Sequence, residues 1–223
     1  MTSRWKAEKQ QVLETSQAMS RRGLVVGAAG NVSMRLGGPG EELLAITPSK
    51  KHYDDLMVDD IQVIDFDCEP VEGDLVPSIE SPMHVASYRA RIDIRGMVHT
   101  HSIYASTLAV ARLDLPPLID ELIVLVGGAV RVADYGFPSS DELASGLADA
   151  LRDRNAALLA NHGLVGVGAD LREALTICEL VERAAQVYVM ARAIGQVNLL
   201  PDEVIDTEME LFKMMHRQEP AQP

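Results

Sequence analysis

The amino-acid sequence predicts an α/β fold in which helices cover a mixed, largely antiparallel sheet. Short apolar runs bounded by turn residues recur along the chain, and stretches with helix-start signals fall between them. These elements do not alternate in a regular βαβ order, so a wholly parallel sheet is not expected. The 223 residues, 47% of them hydrophobic, suffice for one core, and no linker divides them. We therefore expect residues 1–223 to form a single domain.

The first third of the chain predicts one helix followed by three strands. Residues 4–22 lack Pro and Gly, and Gly23 follows as a helix stop. A glycine-rich turn within residues 27–36 leads into a short strand. Residues 42–47 and 61–66 predict two more strands, the latter from its alternation of apolar and polar residues.

The middle of the chain predicts a helix, a buried strand and a second helix. A helix over residues 81–91 is expected because Ser81 can serve as N-cap and Pro82 suits the first helical position. Residues 94–101 predict a short buried strand. A helix up to Arg112 is expected to follow it.

The remaining elements are predicted from apolar runs and capping signals. Apolar runs predict four strands, at residues 121–126, 130–133, 156–163 and 164–167, and the last two are expected to pair. Capping signals predict three helices: from Ser139 with Glu142 to about residue 154, from Asp170 with Glu173 to Gly195, and from Pro201 to about His216.

Composition excludes several classes of protein. The net charge of −13 and the lack of a basic stripe argue against binding nucleic acid or an anionic membrane surface. No apolar run reaches the roughly 18 residues needed to span a bilayer. Cys68 and Cys178 form no Cys-x-x-Cys pair, and the first six residues lack an apolar signal core. We therefore expect a cytoplasmic protein with reduced thiols.

Three histidines stand where they can bind one metal ion. His99 and His101 are two residues apart in a predicted strand, so their side chains share one face. His162 closes another predicted strand, next to Gly163. Three neutral imidazoles suit Zn²⁺ or a similar ion and leave a coordination position open, which is typical of catalytic sites. A lone histidine at a strand end is more often only a hydrogen-bonding residue.

Other polar residues have both a functional and a purely structural interpretation. Glu80 precedes a predicted helix, where it is either a charge favoured by the helix dipole or a general base beside the metal. The turns at residues 30–33 and 47–50 are rich in small donors. They are either ordinary turns or a nest of donors for an anion.

Five segments together resemble the class II aldolase/adducin family in order and spacing. No single segment is specific, but their joint occurrence is. The segments are GAAGNVS at 27–33, ITPSKKHYDDL at 46–56, PSIESPMH at 77–84, VHTHS at 98–102 and ANHG at 160–163.

The resemblance implies an assignment for each site residue. The implied metal ligands are His99, His101 and His162. Glu80 takes the catalytic acid/base position, and a substrate phosphate or other anion is held at Asn31, Ser49 and Ser78. The resemblance also implies one divalent ion per subunit, with Zn²⁺ first and Mn²⁺, Co²⁺ or Fe²⁺ as alternatives. It further implies a small-molecule substrate and a homotetramer with active sites at subunit interfaces.

The chain departs from the fuculose-phosphate aldolase pattern at several positions. Ala28 and Ile79 replace hydroxyl residues, and Lys50 replaces a glycine of the anion site. Lys50 either supplies a positive charge to the substrate or is simply solvated. The family's proton-donating tyrosine has no counterpart, since Asp120 aligns there. Tyr104 is the aromatic substitute that we predict, although it can equally pack a helix onto the sheet.

These residues predict a metal-dependent carbon–carbon lyase. We favour aldol cleavage of a small hydroxy-carbonyl compound through a metal-stabilised enolate or enediolate. Decarboxylation of a hydroxy-substituted acid, aromatic acids included, is the alternative, because it needs no protonation of an aldehyde. A sugar-phosphate epimerase or dehydratase comes third. A non-catalytic scaffold is disfavoured because all three histidines and Glu80 are present.

Overall fold

A computed structural model describes residues 4–38 and 40–216, so the predicted domain limits at residues 1 and 223 lie outside the described ranges. Within those ranges, eight strands form one sheet in the order β4-β3-β2-β1-β5-β8-β7-β6. The strands are β1 (Asn31–Leu36), β2 (Leu43–Ile46), β3 (Gln62–Asp65), β4 (Pro70–Glu72), β5 (Gly96–Thr100), β6 (Val132–Ala133), β7 (Ala156–Leu159) and β8 (Gly163–Gly168).

Helices connect the strands and follow the sheet. In the described part of the chain they are α1 (Lys6–Arg21), α2 (Ser81–Ala90), α3 (Ile103–Ala111), α4 (Asp120–Val126), α5 (Asp141–Ala150), α6 (Leu171–Ile194) and α7 (Asp202–Met215). Two short 3-10 helices, Tyr53–Asp55 and Val58–Asp60, precede β3. None of these helices is both long enough and apolar enough to cross a bilayer.

The sheet is mixed and largely antiparallel, as the sequence predicts. Each neighbouring pair of strands is antiparallel except β6 with β7, which are parallel. The predicted pairing of the two consecutive strands after residue 155 is confirmed, since Ala157 lies opposite Val165 in β7 and β8. A three-residue turn joins them, and antiparallel neighbours need no longer connection.

Helices cover both faces of the sheet. On one face, strand side chains such as Val98 join a core cluster with α1, α3 and α6. On the other, alternate side chains such as Met97 and Val165 join a second cluster with α2 and α5. Because strand side chains alternate between faces, His99 lies on the same face as Met97. That face is the one covered by α2.

One predicted strand is wrong: residues 121–126 form helix α4. The apolar run alone does not distinguish a short strand from a buried helix. Its buried residues, Leu122, Ile123 and Val126, have helical spacing. Asp120 in the first turn suits the positive end of the helix dipole. Gly127 then ends the helix in a left-handed conformation.

Other boundaries shift by one or a few residues. Glu80, not Ser81, occupies the N-cap position of α2. Ser140, not Ser139, caps α5, because its side chain accepts the backbone N–H of Leu143. The predicted cap of α6 is confirmed, since the Asp170 carboxylate accepts the Glu173 N–H at 2.8 Å.

Two edge strands differ from the prediction. The short edge strand β4 carries no apolar alternation and was not predicted from the sequence. The strand expected at residues 130–133 shrinks to the two residues of β6, while Val130 forms an isolated bridge to Leu115. Edge strands contact only one neighbour, so their sequence signal is weak.

Gly30 marks the closest approach between the glycine-rich turn and β5. Its φ of +73° lies in the left-handed region, and an added Cβ would meet the His99 carbonyl oxygen at 2.4 Å. Any side chain there would both strain the backbone and displace β5. The turn therefore approaches the strand that carries His99 only because residue 30 has no side chain.

We expect Gly30→Ala to lower the free energy of unfolding by about 1–3 kcal/mol, through backbone strain at a left-handed position. Urea denaturation measures this change.

The matched control is Gly146→Ala in α5, where an added Cβ meets nothing within 4 Å. Because alanine favours a helix, this variant should gain about 0.5–1 kcal/mol. Equal stability of Gly30→Ala and the wild type would contradict the close approach of the turn to β5.

Candidate metal centre

The three predicted histidines converge. The Nε2 atom of His99 lies 3.0 Å from that of His101 and 3.3 Å from that of His162. All three ligand nitrogens lie within 4.8 Å of one another. The three imidazole planes are steeply inclined to one another, at 69° to 75°. The rings therefore surround a common point instead of stacking.

Strand pairing explains why these rings meet. His99 lies in β5 opposite Val165 of β8, and His101 follows the end of the same strand. His162 lies in the turn that enters β8. Gly163 allows a close approach rather than a left-handed turn, because an added Cβ would meet the Thr100 carbonyl oxygen at 2.2 Å.

The donor set fits a divalent transition ion. Nitrogens held about 2.0–2.1 Å from one tetrahedral ion lie about 3.3–3.4 Å apart, close to the two Nε2–Nε2 separations that His99 makes. His99 Nδ1 lies 3.0 Å from the Leu164 carbonyl oxygen, to which it donates a hydrogen bond. This bond fixes the tautomer and leaves the Nε2 lone pair for an ion. Burial lowers the pKa of His99 to about 3, so the ring is neutral at physiological pH.

The Glu80 carboxylate lies against the imidazole cluster. Its two oxygens are 3.1 Å from His162 Nε2 and 3.4 Å from His99 Nε2. Glu80 occupies the N-cap position of α2, yet its side chain makes no capping hydrogen bond. Glu80 therefore lies where the helix dipole favours its charge, while its carboxylate contacts the imidazoles, so its two interpretations are compatible.

The charge of Glu80 is stabilised by its neighbours. Burial alone would raise the pKa of this carboxyl, but His99 and hydrogen bonds from His162 and Asn31 outweigh burial and hold the pKa well below its usual range. Asn31 donates from Nδ2 to Oε2 of Glu80 at 2.7 Å. Glu80 is thus a buried carboxylate that remains ionised beside the imidazole cluster.

Two predicted anion-binding loops lie side by side next to Glu80. Pro48 and Pro77 form an isolated antiparallel bridge. Backbone hydrogen bonds from Ser49 to Val76 and from Ser78 to Thr47 extend this contact. The loops that carry Ser49 and Ser78 therefore lie side by side, and the Ser78 hydroxyl accepts the Glu80 backbone N–H at 3.3 Å.

Lys50 adopts a left-handed backbone conformation. Its φ is +61°, and its side chain is exposed. Glycine takes this conformation without strain, which accounts for the glycine that the resemblance implies at this position. The backbone shape of the loop is therefore retained although the residue differs.

Tyr104 follows the predicted ligands His99 and His101, at the start of α3. Its ring is partly buried against a core cluster, in agreement with the packing interpretation. Its backbone N–H donates to Glu182 of α6 at 2.9 Å, and the Ala105 N–H donates to the same carboxylate at 2.8 Å. Glu182 thus caps α3 from a distant helix, a role that the sequence did not indicate.

The sequence also did not indicate the partners of Asn31. His84 Nε2 contacts Asn31 Oδ1, and His84 Nδ1 lies 2.6 Å from the Ser33 hydroxyl. Tyr88 lies 2.9 Å from the same hydroxyl. The spacing of these residues is the sequence signal from which their contacts could have been predicted. Asn31 and Ser33 share a strand face, and Glu80, His84 and Tyr88 recur every four residues along α2.

Three imidazoles with an ionised carboxylate beside them, on this fold, define a metal-dependent lyase of the class II aldolase type. The chain belongs to the class II aldolase and adducin N-terminal domain family, whose sequence model matches residues 10–189.

The chain is similar over nearly its whole length to enzymes of that family. It is 35% identical to a 5-deoxy-D-ribulose 1-phosphate aldolase of Bacillus thuringiensis serovar kurstaki, over 92% of this chain and 95% of that one. It is 30% identical to a 3-oxo-tetronate 4-phosphate decarboxylase of Haemophilus influenzae, over 91% and 96%. A solved structure of an L-fuculose 1-phosphate aldolase matches with a TM-score of 0.88 and 36% identity, over 96% and 98%.

These similarities confirm the predicted family, fold class and main activity. The chain is an enzyme of the class II aldolase type, and enzymes of this type depend on a metal. Its three-histidine cluster is where such an ion fits.

We expect His99→Ala to abolish both metal binding and turnover, because the remaining two imidazoles lose the central ligand of the cluster. Metal analysis of the purified protein, together with an activity assay, measures both effects.

His216→Ala is the control, because His216 lies outside the cluster, where its ring is hydrogen-bonded to the Asn155 side chain and the Phe212 carbonyl. It should retain metal. A His99→Ala protein with a full complement of metal would refute the assignment of the centre.

Proposed function

We propose that this enzyme reversibly cleaves a small ketose 1-phosphate by aldol chemistry. The observation that carries the proposal is the ionised Glu80 carboxylate in contact with two of three converging imidazoles. Aldolases of two related sugar 1-phosphates are similar to it over more than nine tenths of their length. The proposed substrate class is therefore narrower than the hydroxy-carbonyl compound predicted from sequence.

The proposed metal ligands are His99, His101 and His162, which bind one divalent ion per subunit. When bound, this ion acts as a Lewis acid that stabilises negative charge developing on substrate oxygens. We propose Zn²⁺, because three neutral imidazoles with an open fourth position suit it. Mn²⁺, Co²⁺ and Fe²⁺ accept similar ligands.

Glu80 is the proposed proton carrier at carbon. In the cleavage direction a substrate hydroxyl gives its proton to solvent through a neighbouring group, the adjacent C–C bond breaks and an aldehyde leaves. The electron pair stays with the ketone fragment, whose carbon then takes a proton that the Glu80 carboxylate has first picked up from solvent. In the reverse direction the ionised Glu80 removes this proton from the carbon. Glu80 serves this carbon because the hydrogen bond from Asn31 orients its carboxylate next to the centre. Tyr104 stays a prediction for the hydroxyl oxygen.

The adjacent loops supply the proposed phosphate site. Hydroxyls of Ser49 and Ser78, the second N–H of the Asn31 amide and the Lys50 ammonium provide the donors. A phosphate needs several donors when it leaves water, and Ala28 and Ile79 supply none from their side chains. The charge of Lys50 offsets the hydroxyls that these two residues lack.

We also propose a cytoplasmic homotetramer whose active sites lie at subunit interfaces. Exposed apolar side chains support the association: on α6 and α7 they are Val187, Met190, Ile194, Met214 and Met215. Cys68 and Cys178 are free thiols, which suits a reducing compartment.

A decarboxylase is the second candidate. The similar Haemophilus influenzae enzyme, which its name describes as a decarboxylase of an oxo acid phosphate, favours it. Loss of CO₂ would leave the same kind of negative charge near the centre, so the geometry of the imidazoles does not separate the two reactions. The products do.

We expect the metal-loaded enzyme to release an aldehyde from 5-deoxyribulose 1-phosphate and no CO₂ from 3-oxo-tetronate 4-phosphate. A coupled dehydrogenase assay detects the aldehyde, and gas analysis detects CO₂. CO₂ release without aldehyde would replace the aldolase by the decarboxylase.

The control in this assay is Glu80→Gln, which keeps the shape of the side chain but removes its charge. It should retain metal and lose most turnover. Full turnover would remove Glu80 from the mechanism while leaving the reaction class intact.

We expect Lys50→Gly to raise KM for the phosphorylated ketose roughly tenfold, since a hydrogen bond to a charged group contributes about 1.5–3 kcal/mol. Glycine keeps the left-handed loop, so only the charge is lost. Steady-state kinetics measures KM and kcat separately.

Lys50→Arg is the matched control and should keep KM within a factor of about two, because it preserves the charge. An unchanged KM in Lys50→Gly would mean that Lys50 is only a solvated side chain.

A further inference from the structure

A chain of buried hydrogen bonds leads from Glu80 away from the imidazoles. Asn31 links Glu80 to His84, His84 contacts the Ser33 hydroxyl, and that hydroxyl contacts the Tyr88 hydroxyl. All five residues are buried, and His84, Ser33 and Tyr88 have no exposed surface. Water is therefore excluded from the far end of the chain.

The Glu80 end sets the direction of the first two bonds. Asn31 Nδ2 donates to Glu80 Oε2 at 2.7 Å, so the Asn31 amide presents its NH₂ group to Glu80. Its carbonyl oxygen then faces His84. That oxygen only accepts, so His84 must carry its proton on Nε2.

The remaining bonds follow from the charge state of His84. Burial lowers the pKa of His84 to about 4, so the ring is neutral and has a single N–H. With the proton on Nε2, Nδ1 must accept from the Ser33 hydroxyl. Burial raises the pKa of Tyr88, so its phenol stays protonated, and its hydroxyl oxygen lies 2.9 Å from both the Ser33 hydroxyl and the Ser33 backbone carbonyl oxygen, which only accepts. From Ser33 onward, each donor in the chain points toward Glu80.

We propose that His84 and Ser33 are positioning residues, which hold the Asn31 amide with its NH₂ group toward Glu80 and so fix the orientation of the reacting carboxylate. The opposite tautomer of His84 would donate to Ser33 and present a lone pair to Asn31. The amide would then turn its oxygen toward Glu80, where two acceptors repel. This inference rests on the proposed role of Glu80 in proton transfer.

A double-mutant cycle tests whether these residues act through Glu80. We expect Ser33→Ala and His84→Leu each to lower kcat on the order of 10- to 100-fold, the usual effect of losing a supporting hydrogen bond in a metal site. KM and metal content should be unchanged. His84→Gln should recover much of the loss, because its side-chain N–H can still donate to Asn31.

The decisive comparison repeats both substitutions in the Glu80→Gln protein. If Ser33 and His84 act by orienting the carboxylate, neither should lower the residual kcat any further. If the losses of kcat multiply in the double variants, or if bound metal is lost, the proposal is overturned and a purely structural role remains. Full activity of Glu80→Gln alone would overturn it as well, and would also show that the proposed role of Glu80 is at fault.

A spectroscopic measurement on the wild-type enzyme keeps the proposal testable if His84→Leu does not fold. Nitrogen-15 NMR of histidine-labelled protein, with His84 assigned from the His84→Gln spectrum, reports which ring nitrogen carries the proton. The proposal requires the Nε2–H tautomer. An Nδ1–H tautomer would overturn it.

Discussion

The antiparallel pairing of β5 with β8 is the constraint on which the site depends. It places Val165 opposite His99 and brings the turn at His162 to the end of β5. These two strands suffice to bring the three histidines together. His99 lies in β5 and His101 directly after it, while His162 lies directly before β8. The Leu164 carbonyl that orients His99 comes from the same pairing. One strand contact therefore sets ligand position, ring orientation and tautomer.

Helix α2 brings Glu80 and its hydrogen-bonding neighbours to the histidine cluster from one face of the sheet. Its residues at intervals of four, Glu80, His84 and Tyr88, meet the alternate residues Asn31 and Ser33 of β1. Residues four apart on two turns of the helix thus contact residues two apart on the strand. Hydrogen bonds form along this contact, and the bond from the Asn31 amide to Glu80 sets the direction of those that follow as far as Ser33.

The sequence predicted the parts of this molecule that local pattern determines. The HxH spacing placed His99 and His101 on one face because strand geometry is regular. The helix at residues 120–126 was missed because a short apolar run has no distinctive period. The contact of Glu182 with α3 spans 77 residues or more, and no local pattern encodes it. Glu80 and His84 have the spacing of residues on one helix face, so the sequence places them side by side. Only the packing of α2 onto β1 shows that this face meets Asn31.

The Glu182 carboxylate links α6, the longest helix in the described part of the chain, to the segment that follows His99 and His101. It receives two backbone N–H groups at the start of α3, three and four residues after His101. The far end of α6 carries the exposed side chains of Met190 and Ile194. Because Glu182 lies in the middle of α6, one continuous helix carries both the carboxylate that caps α3 and the exposed side chains near its C-terminal end.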